Sequence, residues 1–448
     1  MSNELVRQTE ELVGQAQKRG ASQAEVSVSV VNSSQWSSSR ISSGRKGSIE
    51  SQNATSIDLA IRVFNKDGQC GTVSGVVDSI GAGGALIDEA ISKADAAAAE
   101  PQAGPCERYD ASGRGLNILD PRHARLTDEG RREILSWNLN SCRGVSARIR
   151  PGEFTLEERE NLRLYTSSLG IQRSENSTWY QIRGRAHHQG RPAFPISGKL
   201  TSRQFSDVAS RPLGAMLGRV LESAERAVKM PAKALPLVLE PEVVAEILLR
   251  MAPAFDAARI ANQRSFLCGK INHAIAPSGL HVVDDASVPS GLNTRSFDDW
   301  GVPPVPVPLI QEGVFAGLYL DGRQARRRGV RPSGHMSAFG EIATGNLVAR
   351  PGSRSRNMIF ADLRQYLVAT DLFEPMVLDL ETGALEMKVR LFVDSEDRAR
   401  GRLGIHLIKT DVLTLLSQIK IIGSDQTRFG SVDVGTWVLD GVTLTPCA

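Results

Sequence analysis

The chain has 448 residues, of which 41% are hydrophobic and 23% charged, with 53 Lys and Arg against 50 Asp and Glu. That length suffices for two or three domains and a sizeable core, and the composition is that of an ordinary globular protein. A net charge of +3 gives no reason to expect nucleic acid or a membrane surface as the main partner.

Residues 4–19 read as an amphipathic helix with Leu5, Val6, Leu12, Val13 and Ala16 on one side, stopped by Gly20. Residues 24–30 alternate apolar and polar, the period of a strand. Further strands are expected over 36–41, 48–52, 56–64 and 70–76, with Asn65-Lys66-Asp67-Gly68 as a hairpin turn. An Ala-rich helix follows over 79–99. The order helix, antiparallel strands, helix predicts an α+β module rather than repeated βαβ units. Residues 100–125, rich in Pro, Gly and Ala, read as a linker.

A second module opens with a helix near 127–140, with Thr127 as N-cap and Asp128 and Glu129 in its first turn. Strands are expected over 145–150, 162–167, 175–184 and 191–199, and a helix over about 212–229 closes the module. A third module starts near Pro231, with a short apolar strand over 234–240 and a helix opened by Pro241. Beyond Leu280 the chain reads as short strands and turns, including Glu312-Gly313 and Glu381-Thr382-Gly383. No internal repeat occurs at solenoid periods. The expected fold class is α+β, in three domains: 1–105 and 106–230, both α+β, and a mostly-β domain over 231–448.

Five cysteines, an odd number at wide spacings with no C-x-x-C, argue against a zinc ribbon or a disulfide scaffold and fit reduced thiols. The first residues, Met1-Ser2-Asn3-Glu4-Leu5, show no signal-peptide pattern, and no apolar run approaches bilayer length, so a cytoplasmic protein is expected. His187 and His188 are adjacent; on a strand they point to opposite faces and cannot meet one ion. The pairs Asp284-Asp285 and Asp298-Asp299 suit turn capping or salt bridging better than acid–base work, because paired catalytic carboxylates come from separate elements. The basic run 323–331 has no interleaved aromatics for base stacking, so it reads first as a structural helix or loop. Its guanidinium groups also suit a peptide carboxylate or a partner subunit, and Arg326 is the first residue to test. Gly81-Ala82-Gly83-Gly84 departs from G-x-G-x-x-G, which needs glycine where Leu86 stands, and no G-x-S-x-G occurs.

One stretch carries more information than the rest. It runs through Ser265-Phe266-Leu267, Val282-Val283-Asp284-Asp285, Ser296-Phe297-Asp298-Asp299-Trp300-Gly301-Val302-Pro303, Ala325-Arg326-Arg327-Arg328-Gly329-Val330 and Ser333-Gly334-His335. In order and spacing it resembles the C-terminal domain of the TldD/PmbA (TldD/TldE) family of bacterial peptidase subunits. In the TldD branch the preceding helix carries His-Glu-x-x-x-His; counted back from Ser265, its slots fall here on Leu248, Leu249 and Pro253. That branch also has a late cysteine ligand, whereas residues 425–446 hold none and Cys447 is penultimate. The chain therefore resembles the PmbA (TldE) branch, which lacks the metal motif.

The resemblance implies a chain with no catalytic or metal residues of its own and zinc in a TldD-like partner. It implies a heterodimer that encloses a chamber for unfolded or short peptides; Arg326, His335, Asp298 and Asp299 are the candidate contacts to substrate or partner. Pro332-Ser333 stands where PmbA-like chains have Ser-Thr before Gly-His. Two other functions stay open at this point: half of a hydrolase acting on an amide-containing small molecule in specialised-metabolite, such as antibiotic, biosynthesis, and a homo-oligomeric binding module.

Overall fold

The computed structural model describes residues 2–38, 49–97, 109, 115–189, 191–223, 227–395 and 398–447. The fold is α+β. It begins with α1 (Ser2–Lys18), then three strands, β1 (Gln23–Ser38), β2 (Ile49–Phe64) and β3 (Cys70–Val77), and α2 (Gly84–Ala96). After α3 (Asp128–Arg143) come β4 (Ile149–Ser167), β5 (Gln172–His188) and β6 (Arg191–Ser202), then α4 (Phe205–Ala209) and α5 (Leu213–Ser223). The strands form one antiparallel sheet in the order β3-β2-β1-β4-β5-β6, so segments from either side of residues 100–125 share a single sheet. The domain boundary expected at 105/106 lies outside the described residues, as does most of the expected linker.

These strands are longer than the sequence pattern predicts. β1 and β2 pair without a break from Gln23↔Phe64 to Ser38↔Ile49, joining what read as separate short strands; the ends expected at 39–41 and at 48 lie outside the described residues. β4 continues through 151–161, between the strands expected at 145–150 and 162–167, with a register shift between Pro151 and Phe154. Tertiary partners override the low propensity there. Glu158 meets Arg131 of α3 at 2.7 Å, and the Arg159 guanidinium lies 4.7 Å from the Trp179 ring centroid. The local signals at element ends do hold. Thr127 caps α3 by accepting from the Gly130 N–H, and Pro241 sits in the first turn of its helix. Asn65–Gly68 closes the β2–β3 hairpin, with Gly68 at φ 77°. The helix expected over 79–99 starts as helix proper at Gly84, after a tight turn over Ile80–Gly83, and that expected over 212–229 covers Leu213–Ser223, with 224–226 outside the described residues.

Strand alternation gives this sheet two unlike faces. Ala24, Val26, Val28, Ile61 and Leu164 point to one face and pack under α1 and α2. Further along the same face, Leu156, Tyr180 and Ile182 pack under α3 and α5. The other face is polar: Arg62 opposes Glu25, Ser29 opposes Arg163, and Arg163 opposes Glu175.

The rest of the chain contains β7 (Leu237–Leu239), α6 (Pro241–Met251), α7 (Ala257–Ala261), β8 (Val282–Asp284), β9 (Val307–Gln311), β10 (Val314–Phe315), α8 (Gly322–Arg328), β11 (Leu347–Ala349) and α9 (Arg356–Leu363). It continues with β12 (Gln365–Leu372), β13 (Val377–Leu378), β14 (Ala384–Ser395), β15 (Arg398–Asp411), α10 (Val412–Ser417), β16 (Ile419–Ile422), β17 (Thr427–Phe429), β18 (Val432–Val434), β19 (Trp437–Leu439) and β20 (Thr445–Pro446). One sheet has the order β10-β9-β8-β11-β18-β17; the other has β16-β19-β7-β12-β14-β15-β20, with β13 beside β14. α6 packs against strands of both sheets, and its Val243, Val244, Ile247, Leu248 and Met251 sit in the largest apolar core of the molecule. Among the described residues no helix is long and apolar enough to cross a membrane.

Candidate functional site

The polar face of the N-terminal sheet meets loops of the C-terminal half. Arg163 of β4 donates to the Phe297 carbonyl at 3.0 Å and pairs with the Asp299 carboxylate. Burial works against the Arg163 charge, but Asp299 and Glu175 more than offset it and raise its pKa. Glu175 of β5 accepts from the Ser296 hydroxyl at 2.6 Å, and Arg203 donates to the Leu292 carbonyl.

Two of the cavities along this junction share a wall. The larger, about 840 Å³, is bounded on the sheet side by Arg62, Phe64, Cys70 and Thr72. Its opposite wall comes from the loop at Trp300 and Val302, from α8 with Arg323 and Arg326, and from Arg331 and Phe339. The smaller, about 290 Å³, is bounded by Arg159, Arg163, Trp179, Arg203 and Asp299. Asp298 and Met336 line both, so that segment is the wall between them.

Each wall element is fixed by its own local chemistry. On the sheet side, Glu25 is buried and accepts from Tyr165 at 2.6 Å and from Arg62. The Arg62 guanidinium lies 4.1 Å from the Trp300 ring centroid, a cation–π contact that ties β2 to the 298–302 loop. Burial opposes the Arg62 charge and Glu25 restores it, so its pKa rises; burial pushes the nearby Cys70 thiol up. On the other side, α8 is capped by Asp321, which accepts from the Gln324 N–H, and ends at Gly329 with φ 66°. Arg323 and Arg326 are three residues apart on this helix and so share a face. Arg331 donates to the Pro303 carbonyl at 2.9 Å and lies 5.1 Å from the Tyr109 ring centroid.

The four residues singled out by the sequence fall in different places. Arg326 lines the larger cavity. Asp298 also borders it, but the side chain is 1% exposed and its carboxylate accepts from three backbone N–H groups: Trp300 and Val302 at 3.0 Å and Met336 at 3.1 Å. Burial raises the Asp298 pKa against those donors. Asp299 accepts from Arg163 and from the Ala338 N–H at 2.8 Å, tying sheet to loop. His335 is fully buried behind the cavity wall: its Nδ1 is 2.8 Å from the Ser333 carbonyl, and its Nε2 is 3.4 Å from Asp284.

His335 belongs to a group that sequence reasoning did not assemble. Tyr319 donates to Asp284 at 2.6 Å, and the Gly345 N–H donates to the same oxygen at 2.9 Å. Burial would raise the Asp284 pKa, but His335, Tyr319 and Gly345 overcome it and hold the carboxyl below the usual range. One signal was available: Val282 and Asp284 lie two apart on a strand, so a core-facing Val282 puts Asp284 on the same face. Gly334, between Ser333 and His335, has φ 70°, and a Cβ there would sit 2.5 Å from the Pro304 Cα. Ser333 is bonded through backbone and hydroxyl to Leu320. As for the other candidates, His187 and His188 are successive residues of β5, and Asp285 closes a turn by accepting from the Ser287 N–H at 2.8 Å.

Residues 232–446 match the PmbA/TldA metallopeptidase C-terminal domain. That C-terminal part of the chain thus carries a TldD/PmbA-family domain. It is 28% identical over 159 residues to a metalloprotease of Methanothermobacter thermautotrophicus, a match that spans 33% of this chain and 34% of that protein. A protein of Methanocaldococcus jannaschii is 28% identical over 102 residues, spanning 22% of this chain and 24% of its own length. The chain thus aligns with about a third and a quarter of these relatives. Three solved structures share the fold over 98% of the chain. TldE from Thermococcus kodakarensis superposes with a TM-score of 0.82 at 18% identity, covering 100% of that chain. Two proteins described as DNA gyrase modulators, from Bacteroides thetaiotaomicron and Thermotoga maritima, give 0.83 at 17% and 0.82 at 19%, covering 98% and 99% of those chains.

A metallopeptidase family raises the question of zinc, and α6 answers for its own residues. Leu248 is 1% exposed in the core, Leu249 is half-buried, and Pro253 lies in the tight turn that follows the helix. Neither an isobutyl group nor a pyrrolidine ring offers a donor atom, and zinc requires nitrogen, sulfur or carboxylate oxygen. The residues at these slots do not fit the ion.

Proposed function

We propose that this chain is the non-catalytic, metal-free PmbA (TldE)-like subunit of a heterodimeric peptidase whose TldD-like partner carries the zinc. The observation that carries this reading is donor chemistry: Leu248 and Leu249 of α6 and Pro253 in the turn beyond it offer no metal-binding atom, and the resemblance to the TldD branch sets two imidazoles and a carboxylate at these positions. The fold shared with TldE supports it. In this reading the chain shapes and closes a cytoplasmic compartment that admits unfolded or short peptides, and the partner performs the hydrolysis. The test is to purify the chain alone and together with a TldD-like chain. The lone chain is expected to hold no stoichiometric zinc and to leave peptides intact, while the pair migrates as a heterodimer in native mass spectrometry and cleaves them. Stoichiometric zinc with hydrolysis by the lone chain would refute the assignment, and so would exclusive self-association in the presence of the partner.

A further inference from the structure

We infer that the smaller cavity, between the N-terminal sheet and the 292–299 loop, is a binding site for an uncharged carboxamide, the group shared by a peptide main chain and an amide-bearing small molecule. Such a site needs no partner subunit, because all its groups belong to this chain. The cavity floor is the polar face of the sheet. Residues two apart on a strand share a face, so Arg159, Asn161 and Arg163 of β4 lie beside Trp179, Ser177 and Glu175 of β5, pair by pair. Asn161 and Ser177 form the middle row, and Val31 of β1 continues it. The opposite side comes from Leu292 to Arg295, from Asp298 and Asp299, and from Met336. A volume of about 290 Å³, at the lower end for small-ligand sites, admits a molecule the size of one capped amino-acid residue.

The charged groups around this space are engaged with one another or with the main chain. Arg159 pairs with Glu157 at 2.6 Å and lies over the Trp179 ring. Arg163 pairs with Asp299, Glu175 accepts from Ser296, and Asp298 accepts three N–H groups. Arg203 donates to the carbonyls of Thr178 at 3.0 Å and Gly291 at 3.3 Å, and Arg295 to those of Asn293 at 3.3 Å and Thr344 at 3.2 Å. A charged ligand would leave water for a place where each counter-charge is already shared, which is costly. A neutral ligand meets a different pair of groups. Asn161 accepts from the Ser29 hydroxyl through its amide oxygen at 3.0 Å, which leaves its amide nitrogen as a donor. Asn293 donates through its amide nitrogen to the Thr344 carbonyl at 3.1 Å, which leaves its amide oxygen as an acceptor. Both residues line the cavity, one from the sheet and one from the loop. A carboxamide answers that pair, its C=O taking the Asn161 N–H and its own N–H reaching the Asn293 oxygen. The Ser177 hydroxyl can both donate and accept, and the Trp179 ring adds a flat apolar wall. The Arg295 Nε is buried without a hydrogen-bond partner, which makes an anion the rival ligand. Three carboxylates on the same lining, Glu175, Asp298 and Asp299, oppose it.

The test titrates the full chain with N-acetyl-alanine methylamide, a main-chain-like amide, and with benzamide, a small-molecule amide, followed by saturation-transfer-difference NMR. N-acetyl-alanine and alanine methylamide keep the alanine frame but carry a carboxylate and an ammonium. A neutral amide is expected to bind about tenfold more tightly than either charged compound. Tighter binding of the alanine amide identifies a main-chain ligand and tighter binding of benzamide a small-molecule one; either result supports the site. Ser177→Val fills the floor from a strand position that accepts a β-branched side chain, and it is expected to remove binding. Asn161→Leu cannot donate and is expected to weaken binding about tenfold. Thermal melts show that each variant is folded, and either one alone suffices for the comparison. N-acetyl-alanine binding as tightly as its methylamide overturns the inference in favour of an anion site, and equal binding of the ammonium compound overturns it as well. So does the absence of saturation transfer to both amides at about 10 mM, where a ligand of this size in a fitted pocket is mostly bound. Unchanged binding by a folded Ser177→Val or Asn161→Leu chain also overturns it. The titration uses the lone chain, so its failure leaves the subunit reading untouched, and a chain that never pairs leaves the amide site untouched.

Discussion

Replacing Asp298 with alanine removes the hinge between the two cavities. Its carboxylate accepts from Trp300 and Val302 through one oxygen and from Met336 through the other, at 3.0–3.1 Å, in a side chain that is 1% exposed. Truncation leaves three backbone donors without acceptors in a place solvent does not reach. Each lost bond of this kind costs about 1 kcal/mol, so the gross loss is about 3 kcal/mol. Relief from burying a carboxylate, visible as the upward push of burial on its pKa, returns part of that. A net loss of about 2 kcal/mol is expected. Asp298→Asn keeps the oxygen that serves Trp300 and Val302 but turns an amide donor toward the Met336 N–H, so about 1 kcal/mol is expected there. The assay is equilibrium urea unfolding followed by tryptophan fluorescence, with stability taken from midpoint and slope. If the alanine variant unfolds within about 0.5 kcal/mol of the parent, or if asparagine is as damaging as alanine, the clamp described here does not operate.

Three further outcomes follow from the same structure. Burial, and then Asp371, push the Glu242 pKa up to about 7, so the folded chain keeps a proton that the unfolded chain releases; stability should fall as pH rises from about 4.5 to 7, by at most about 3 kcal/mol. Glu242→Gln should remove that slope, matching the parent near pH 4 and exceeding it at pH 8 in urea melts; parallel profiles would contradict it. Tyr319→Phe removes a donor to Asp284 and should cost about 2 kcal/mol at neutral pH. Because the Asp284 pKa is depressed, that contribution exists above about pH 4 and disappears as pH falls through the folded value, so thermal melts of the two proteins should converge in acid. Gly334→Ala places a Cβ 2.5 Å from Pro304 at φ 70° and should lower stability by about 2 kcal/mol or more, read as a drop in melting temperature; an unchanged melt would show that the turn relaxes freely.

What could be read from the sequence was local. The α+β class, the Thr127 cap, the Pro241 start and the turns at Gly68, Gly313 and Gly383 each depend on a few adjacent residues and on one φ or one donor. The length of β1, β2 and β4 was not legible, because Ser33–Ser38, residues 50–55 and Glu157–Glu160 have the composition of loops. They are strands because a neighbouring strand supplies their hydrogen bonds and charged residues find partners across it. Alternation at Glu25, Ser27 and Ser29 reads as a solvent-facing edge of the pattern, yet that face is covered by loops more than a hundred residues away. Asp284, Tyr319 and His335 are separated by 35 and 16 residues, and no spacing rule joins them. Asp285, Asp298 and Asp299 make the turn-capping and ion-pair bonds expected of the Asp pairs, whereas Asp284 accepts from the Tyr319 hydroxyl and the Gly345 N–H.

The segment that most resembles the family is, in this molecule, a positioning device for α8. From the end of that helix the chain turns at Gly329, and Arg331 is tied to Pro303. It then packs Gly334 against the Pro303–Pro304 backbone and buries His335 against Asp284. Asp284 is the last residue of β8, the strand that pairs with β9 and β11 inside the largest core. A shift of His335 would therefore be felt at the core, and a rigid core in turn holds Arg323 and Arg326 at a fixed distance from the sheet. The same loop that carries Trp300 and Asp299 joins the sheet through Arg62 and Arg163. The cavity wall and the link between the two halves are thus one structure.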